Sequence, residues 1–231
     1  MIILAFDALD LDQVQRFNCK NLIQKESGQT DLKDFEKLRT IVLWASFLAG
    51  RNMEKDIPIQ TQWQYKLKPE QTFTAFFKTY AAIDVPAFSF KQQNHTKVRK
   101  LLKGYFDKKN SIKEYDACVW HNHEENKKEF FNTIGNFDLV MAYFDLADAI
   151  GHLSFGITEK MSEVYKELDN IAEKTKELND QVLIISDHGM KTVGRYGDHS
   201  RKGFYSLNHK LGIKLPKITD FYDHIRRIEE N

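Results

Sequence analysis

The sequence predicts an α/β fold with a mainly parallel central sheet and helices on both faces. Three observations carry that expectation. Residues 2–6, 137–144 and 181–186 are apolar runs of strand length without polar alternation, as strands buried on both faces must be. Segments of helical period separate them, above all 157–179, where Met161, Val164, Tyr165, Leu168, Ile171, Ala172 and Leu178 fall on one stripe. At 231 residues, 42% hydrophobic and 13% aromatic, the chain can bury one sizeable core. Strands alternating with crossover helices make a parallel sheet covered on both sides.

In chain order, Ile2-Ile3-Leu4-Ala5-Phe6 is the first strand, closed by Asp7. No basic segment precedes this run, so it reads as a strand rather than a signal peptide. Residues 31–39 read as a short polar helix or turn. The stretch 41–50 is apolar almost all round and ends in Gly50, which predicts a buried helix with a glycine stop. Residues 52–70 carry two prolines, Pro58 and Pro69, and read as irregular. A helix is expected at 71–80 and a short strand at 85–88. From Asn94 to Lys109 runs a basic amphipathic helix with Val98, Leu101, Leu102 and Tyr105 on one face. Residues 124–134 read as a charged helix that buries Phe130, Phe131 and Ile134. The strand at 137–144, the long helix at 157–179, the strand at 181–186 and a polar helix from about Thr219 complete the chain. No internal repeat or linker divides it, so a single domain over 1–231 is expected, with a less regular excursion over 52–136.

Charge is nearly balanced, 34 Lys and Arg against 33 Asp and Glu, so no global field points to a nucleic-acid polymer or an anionic membrane. No apolar stretch approaches the roughly 20 residues of a membrane helix. Cys19 and Cys118 lack metal-type spacing; a lone disulfide is one reading, and two buried thiols of a cytoplasmic protein the favoured one.

Polar residues with chemistry gather where strands end. Asp7 closes the first strand, Asp148 and His152 follow the strand at 137–144, and Asp187 and His188 end the strand at 181–186. His199 lies a short loop further on. In open α/β sheets ligands bind beyond the carboxyl ends of the strands. Asp and His together offer hard oxygen and imidazole nitrogen, a donor set for Zn²⁺ or Mn²⁺. Asp148 and His152, four apart, share one helical face, and Gly151 leaves room for another backbone. Asp145 is a further candidate that can equally end its strand. Thr40 stands where the apolar helix starts, as an N-cap or as a nucleophile beside free backbone N–H groups. Ser46 lies inside that helix and reads as structural. His121 and His123 form an H-x-H that offers metal ligands but reads rather as a solvated helix entry, and His95, His209 and His224 read as surface or capping residues.

Taken together these blocks resemble the alkaline phosphatase superfamily, and within it the type I phosphodiesterase and nucleotide pyrophosphatase branch. The blocks are Ala5-Phe6-Asp7; Thr40 with Trp44 and Gly50; Asp148-Ala149-Ile150-Gly151-His152; Asp187-His188-Gly189-Met190; and Gly197-Asp198-His199, with Gly203-Phe204-Tyr205-Ser206 after them. The resemblance implies an alkaline phosphatase-like core with no large cap domain. It implies two divalent metal ions, Zn²⁺ or Mn²⁺: one bound by Asp7, Thr40, Asp187 and His188, the other by Asp148, His152 and His199. It further implies a small-molecule phosphate ester as substrate, Thr40 as nucleophile and a phosphothreonine intermediate. A phosphoglycerate mutase-like phosphotransferase and a metal-binding, non-enzymatic member are the alternatives. Val42, Ala49 and Arg51-Asn52-Met53-Glu54 depart from the family's usual residues around the nucleophile. A monoester would need an extra cationic contact, for which Arg51, Lys91, Arg195 and Arg201 are the available basic residues.

Overall fold

Alternate residues of β1 (Ile2–Phe6) enter two different cores, and that division organises the molecule. The computed structural model describes residues 1–230. Ile2, Leu4 and Phe6 point into one core, Ile3 and Ala5 into the other. After β1 come α1 (Leu11–Arg16), the strand β2 (Glu26–Asp31) and α2 (Thr40–Ala49). Three short 3₁₀ segments lead to β3 (Tyr80–Ile83), followed by α3 (Gln92–Phe106) and α4 (Ile112–Thr133). Next are β4 (Leu139–Phe144), α5 (Leu146–Ser154), α6 (Thr158–Leu178) and β5 (Val182–Ile185). A hairpin of β6 (Gly189–Val193) and β7 (Tyr196–Ser200), then β8 (Lys202–Leu207) and α7 (Phe221–Glu229), close the chain.

Six strands form one sheet in the order β2-β8-β5-β1-β4-β3. β1 pairs in parallel with β4 and β5, and β3 in parallel with β4. Only β8 runs against its neighbours, β5 and β2. The alternation continues through the sheet. Val140, Ala142, Phe144, Val182 and Ile184 meet α4, α5 and α6 on one face, while Leu139, Met141, Tyr143, Leu183 and Ile185 meet α2 and α7 on the other. Helices thus cover both faces, and the strands are apolar throughout because neither face meets water.

α2 is apolar on every side because the sheet lies beneath it and α7 and the turn Phe73–Phe76 lie over it; Trp44 and Phe47 are fully buried. Gly50 ends it in the left-handed conformation, φ 66°, with Tyr222 packed where a side chain would stand.

The structure departs from the sequence pattern in five places. The polar Glu26–Asp31 forms an edge strand. The segment expected as a helix at 71–80 makes one 3₁₀ turn and then enters β3, five residues ahead of the strand expected at 85–88. Asp84 and Ala87, at φ 56° and 61°, turn the chain there instead. α4 begins at Ile112, twelve residues before the expected start, with Ser111 and Glu114 forming a capping box. His121 and His123 therefore sit within α4 and not at its entry. His199 is on β7 and not in a loop.

Candidate metal centre

Parallel register brings the ends of β1, β4 and β5 to one edge of the sheet. Phe6 pairs with Phe144 and Ala5 with Ile185, so Asp7 and Asp187 emerge side by side. α5 begins at the end of β4 and carries Asp148 and His152 on one turn. The β6–β7 hairpin folds His199 back over the same edge, because Gly197 lets β7 lie against α5 and Gly151 makes room for Met190 of β6. A Cβ on Gly197 would stand 2.8 Å from the Gly151 carbonyl and 2.2 Å from Met190 Sδ.

All six residues converge. His188 Nε2 lies 3.2 Å from Asp7 Oδ1 and 3.6 Å from Asp187 Oδ2. Asp148 lies between the other two imidazoles, with Oδ2 at 3.2 Å from His152 Nε2 and Oδ1 at 3.4 Å from His199 Nε2. The His188 and His199 rings stack at 3.9 Å and join the two groups. The ligand atoms of Asp7, Asp187 and His188 lie within 4.8 Å of one another, as do those of Asp148, His188 and His199.

Backbone carbonyls orient two of the imidazoles. His188 Nδ1 is 3.0 Å from Gly189 O, and His199 Nδ1 is 3.3 Å from Leu38 O. A carbonyl only accepts, so each Nδ1 carries a hydrogen, and the neutral His188 ring presents its Nε2 lone pair inward. Tyr143 OH donates to Asp7 Oδ2. The atoms turned inward, Asp7 Oδ1, Asp148 Oδ1, both Asp187 oxygens, His188 Nε2 and His199 Nε2, are buried and have no hydrogen-bond partner among the described residues. Such groups are costly to bury unless something else binds them.

Electrostatics point the same way. Burial, and then the Asp148 carboxylate, push the Asp7 carboxyl up to about 7. Burial and Asp7 push Asp187 well above the usual carboxylate range. Burial works against ionised Asp148 too, but His152 outweighs it and holds Asp148 low. The Asp148 charge lifts His152 to about 9, while burial and His199 depress His188 to about 3, which keeps that ring neutral. Three carboxylates crowded against imidazole nitrogen match the donor set of divalent Zn²⁺ or Mn²⁺.

Thr40 lines a cavity of about 260 Å³ together with Asp7, Asp148, His152 and His199. It is the first residue of α2 rather than its N-cap, which is Arg39. Arg39 turns its guanidinium away to the carbonyls of Ile57 and Glu54, and no side chain caps the helix. The first-turn N–H groups beside Thr40 therefore face outward without a side-chain acceptor. Ser46 is structural, as its position suggests: its hydroxyl donates to Val42 O and accepts from Met53 N.

Several residues at this edge are not apparent from the sequence. Tyr143 is one. His95, which reads as a surface residue, is buried and lines the cavity. Its Nε2 lies 3.0 Å from both oxygens of Asp84, its Nδ1 3.4 Å from Asp145 Oδ2, and its ring stacks at 3.9 Å on Phe90. Burial opposes its charge, but Asp145 and Asp84 outweigh that and raise it to about 9. Asp145 is thus engaged by His95 and not by the six converging residues. The helical spacing of His95, Val98, Arg99 and Leu102 was the available signal, since all four line the cavity. Elsewhere, His123 meets Glu167 at 3.2 Å, where Lys127 also pairs with both Glu167 and Glu124. His121 pairs loosely with Glu125 on the surface, and His209 and His224 bond to each other at 2.7 Å.

Residues 17–213 match the family described as type I phosphodiesterase / nucleotide pyrophosphatase. No curated protein matches the sequence. Among solved structures, the chain is similar to murine ectonucleotide pyrophosphatase / phosphodiesterase 5, at TM-score 0.50 and 13% identity, covering 84% of this chain and 58% of that one. It therefore spans little more than half of that relative's length. Alkaline phosphatase from the Antarctic bacterium TAB5 matches at TM-score 0.56 and 11% identity, over 99% of this chain and 97% of that one. A protein from Pyrococcus horikoshii matches at TM-score 0.53 and 11% identity, over 99% and 96%. At such identities the likeness is one of fold. Among the described residues no helix is long and apolar enough to cross a membrane.

Proposed function

Since the chain belongs to the type I phosphodiesterase / nucleotide pyrophosphatase family, we propose that it is a two-metal phosphoric ester hydrolase with Thr40 as its nucleophile. One observation carries this reading above the others: buried ligand atoms without hydrogen-bond partners converge from the ends of β1 and β5, from α5 and from β7, and Asp7, Asp148 and His199 among them line the cavity with Thr40. Asp7, Thr40, Asp187 and His188 would hold one ion, and Asp148, His152 and His199 the other. When bound, two divalent ions supply Lewis acidity to the attacking and leaving oxygens of an in-line displacement.

The chain's own groups do the rest. Thr40 Oγ1 forms the bond to phosphorus as the ester oxygen departs with its alcohol, which leaves a phosphothreonine. Water then breaks that bond and restores the hydroxyl. The outward N–H groups of the first turn of α2 hold phosphoryl oxygens as charge builds on them. Tyr143 and the carbonyls of Gly189 and Leu38 keep Asp7, His188 and His199 aimed inward through both steps. The substrate is a small phosphate ester, in keeping with the cavity's size. The unpaired, buried thiols Cys19 and Cys118 support a cytoplasmic setting.

Thr40→Ala tests the assignment. It should fold and retain its metal, as elemental analysis reads, yet lose at least a thousandfold in turnover of chromogenic phosphate esters. Near-normal turnover by this variant would remove Thr40 from the role.

A further inference from the structure

The basic residues that the sequence offers for substrate charge are occupied elsewhere. Arg51 pairs with Asp56 at 2.6 Å, and Lys91 pairs with Glu129 at 2.6 Å and bonds Asn126 at 2.7 Å. Arg201 donates to the carbonyls of Leu32, Phe35 and Glu36, and Arg195 lies over the Tyr196 ring at 5.8 Å. None of the four lines the cavity beside Thr40. Arg99 does.

Arg99 stands one helical turn after His95 on the face of α3 turned to the cavity. Its guanidinium carbon lies 4.0 Å from the centroid of Trp63, and its only hydrogen bond among the described residues is from Nη2 to Thr96 Oγ1 at 3.2 Å. It has no carboxylate partner among the described residues, although Asp145 lines the same cavity. His95 pairs with Asp145 at 3.4 Å, so the carboxylate that shares the cavity with Arg99 already has a cationic partner. Stacking on indole suits the weakly hydrated guanidinium and holds its fork of donors flat. A half-buried cation with most of its five N–H groups unused, beside a nucleophile, is a receptor for anionic oxygen.

We propose that Arg99, lying on Trp63, pairs with the second negative charge of a phosphomonoester seated at Thr40, so that the cavity selects monoesters over diesters. The inference rests on the hydrolase reading for its catalytic arm but also has a binding arm. A monoester phosphoryl group carries close to two charges at neutral pH, a diester one. Only the first needs a cation in addition to those that serve both.

The test compares p-nitrophenyl phosphate with methyl p-nitrophenyl phosphate, which share a leaving group, on the wild type, Arg99→Lys and Arg99→Met. The wild type should favour the monoester. The monoester-to-diester ratio of kcat/KM should fall by about a hundredfold in Arg99→Met and recover in part in Arg99→Lys. A wild-type preference for the diester, or equal losses on both esters, overturns the proposal. Calorimetric titration with inorganic phosphate reads the same subsite without turnover: Arg99→Met should bind at least about tenfold more weakly, and unchanged affinity overturns the proposal. Arg99-dependent phosphate binding without hydrolysis of either ester would leave the subsite standing and remove the hydrolase reading. Hydrolysis with a selectivity that Arg99 does not affect would do the reverse.

Discussion

His95 shows how much a single side chain can hold together here. It joins α3 to the ends of β3 and β4 through Asp84 and Asp145, and its pKa is raised to about 9. A group whose pKa rises on folding stabilises the native state fully below its unfolded value, near 6.5, and that contribution is lost as pH climbs through about 9. The size is on the order of 3 kcal/mol. Thermal melts of the wild type and His95→Gln should therefore differ most near pH 6 and converge by pH 10; a constant gap would contradict this account. Asp187→Asn leaves one neutral amide among the inward oxygens and should lose metal, which elemental analysis reads directly. The six Asp and His residues singled out by their places after strands do converge, because each is fixed within a few residues of a β-strand or its following turn. His95 and Arg99 were not legible in that way. Their roles come from Asp84, Asp145 and Trp63, which only the tertiary fold places beside α3.

At the scale of elements, the approach of β7 to α5 is what brings His199 to Asp148. Gly197→Ala would drive a Cβ to 2.8 Å from the Gly151 carbonyl. Backbone cannot yield as a side chain end can, so the hairpin must shift. A stability loss of about 1–3 kcal/mol is expected, together with weakened metal affinity. Normal affinity in this variant, measured by competition with a chromogenic chelator, would mean that His199 does not depend on this packing. The hairpin was legible only as a glycine-flanked histidine, since its strands are mostly exposed or partly buried and carry no apolar pattern. β2 escaped for a related reason. It is an edge strand of Glu, Ser, Gly, Gln, Thr and Asp that gains its place by pairing with β8. The apolar runs of β1, β4 and β5 and the periods of α3 and α6 were legible because burial writes itself into composition. The early start of α4 was written there too, in the Ser111–Glu114 capping box.

For the molecule as a whole, the sheet gathers three carboxylates at one buried edge, and mutual repulsion there opposes folding. Divalent cations bound only to the native state would offset this, by about 2.7 kcal/mol at a hundredfold excess over Kd. Chelation should then lower the melting temperature by several degrees, and added Zn²⁺ or Mn²⁺ should restore it. The alternating burial of β1 ties this edge to both cores, so the centre and the fold should melt together in one transition.

Anomalous diffraction from crystals grown with Zn²⁺ or Mn²⁺ tests the central claim most directly. The account predicts two ions per chain, one against Asp7, Asp187, His188 and Thr40 and one against Asp148, His152 and His199. Anomalous density absent from this edge in a folded, metal-saturated protein, or found only at surface carboxylates, would contradict it.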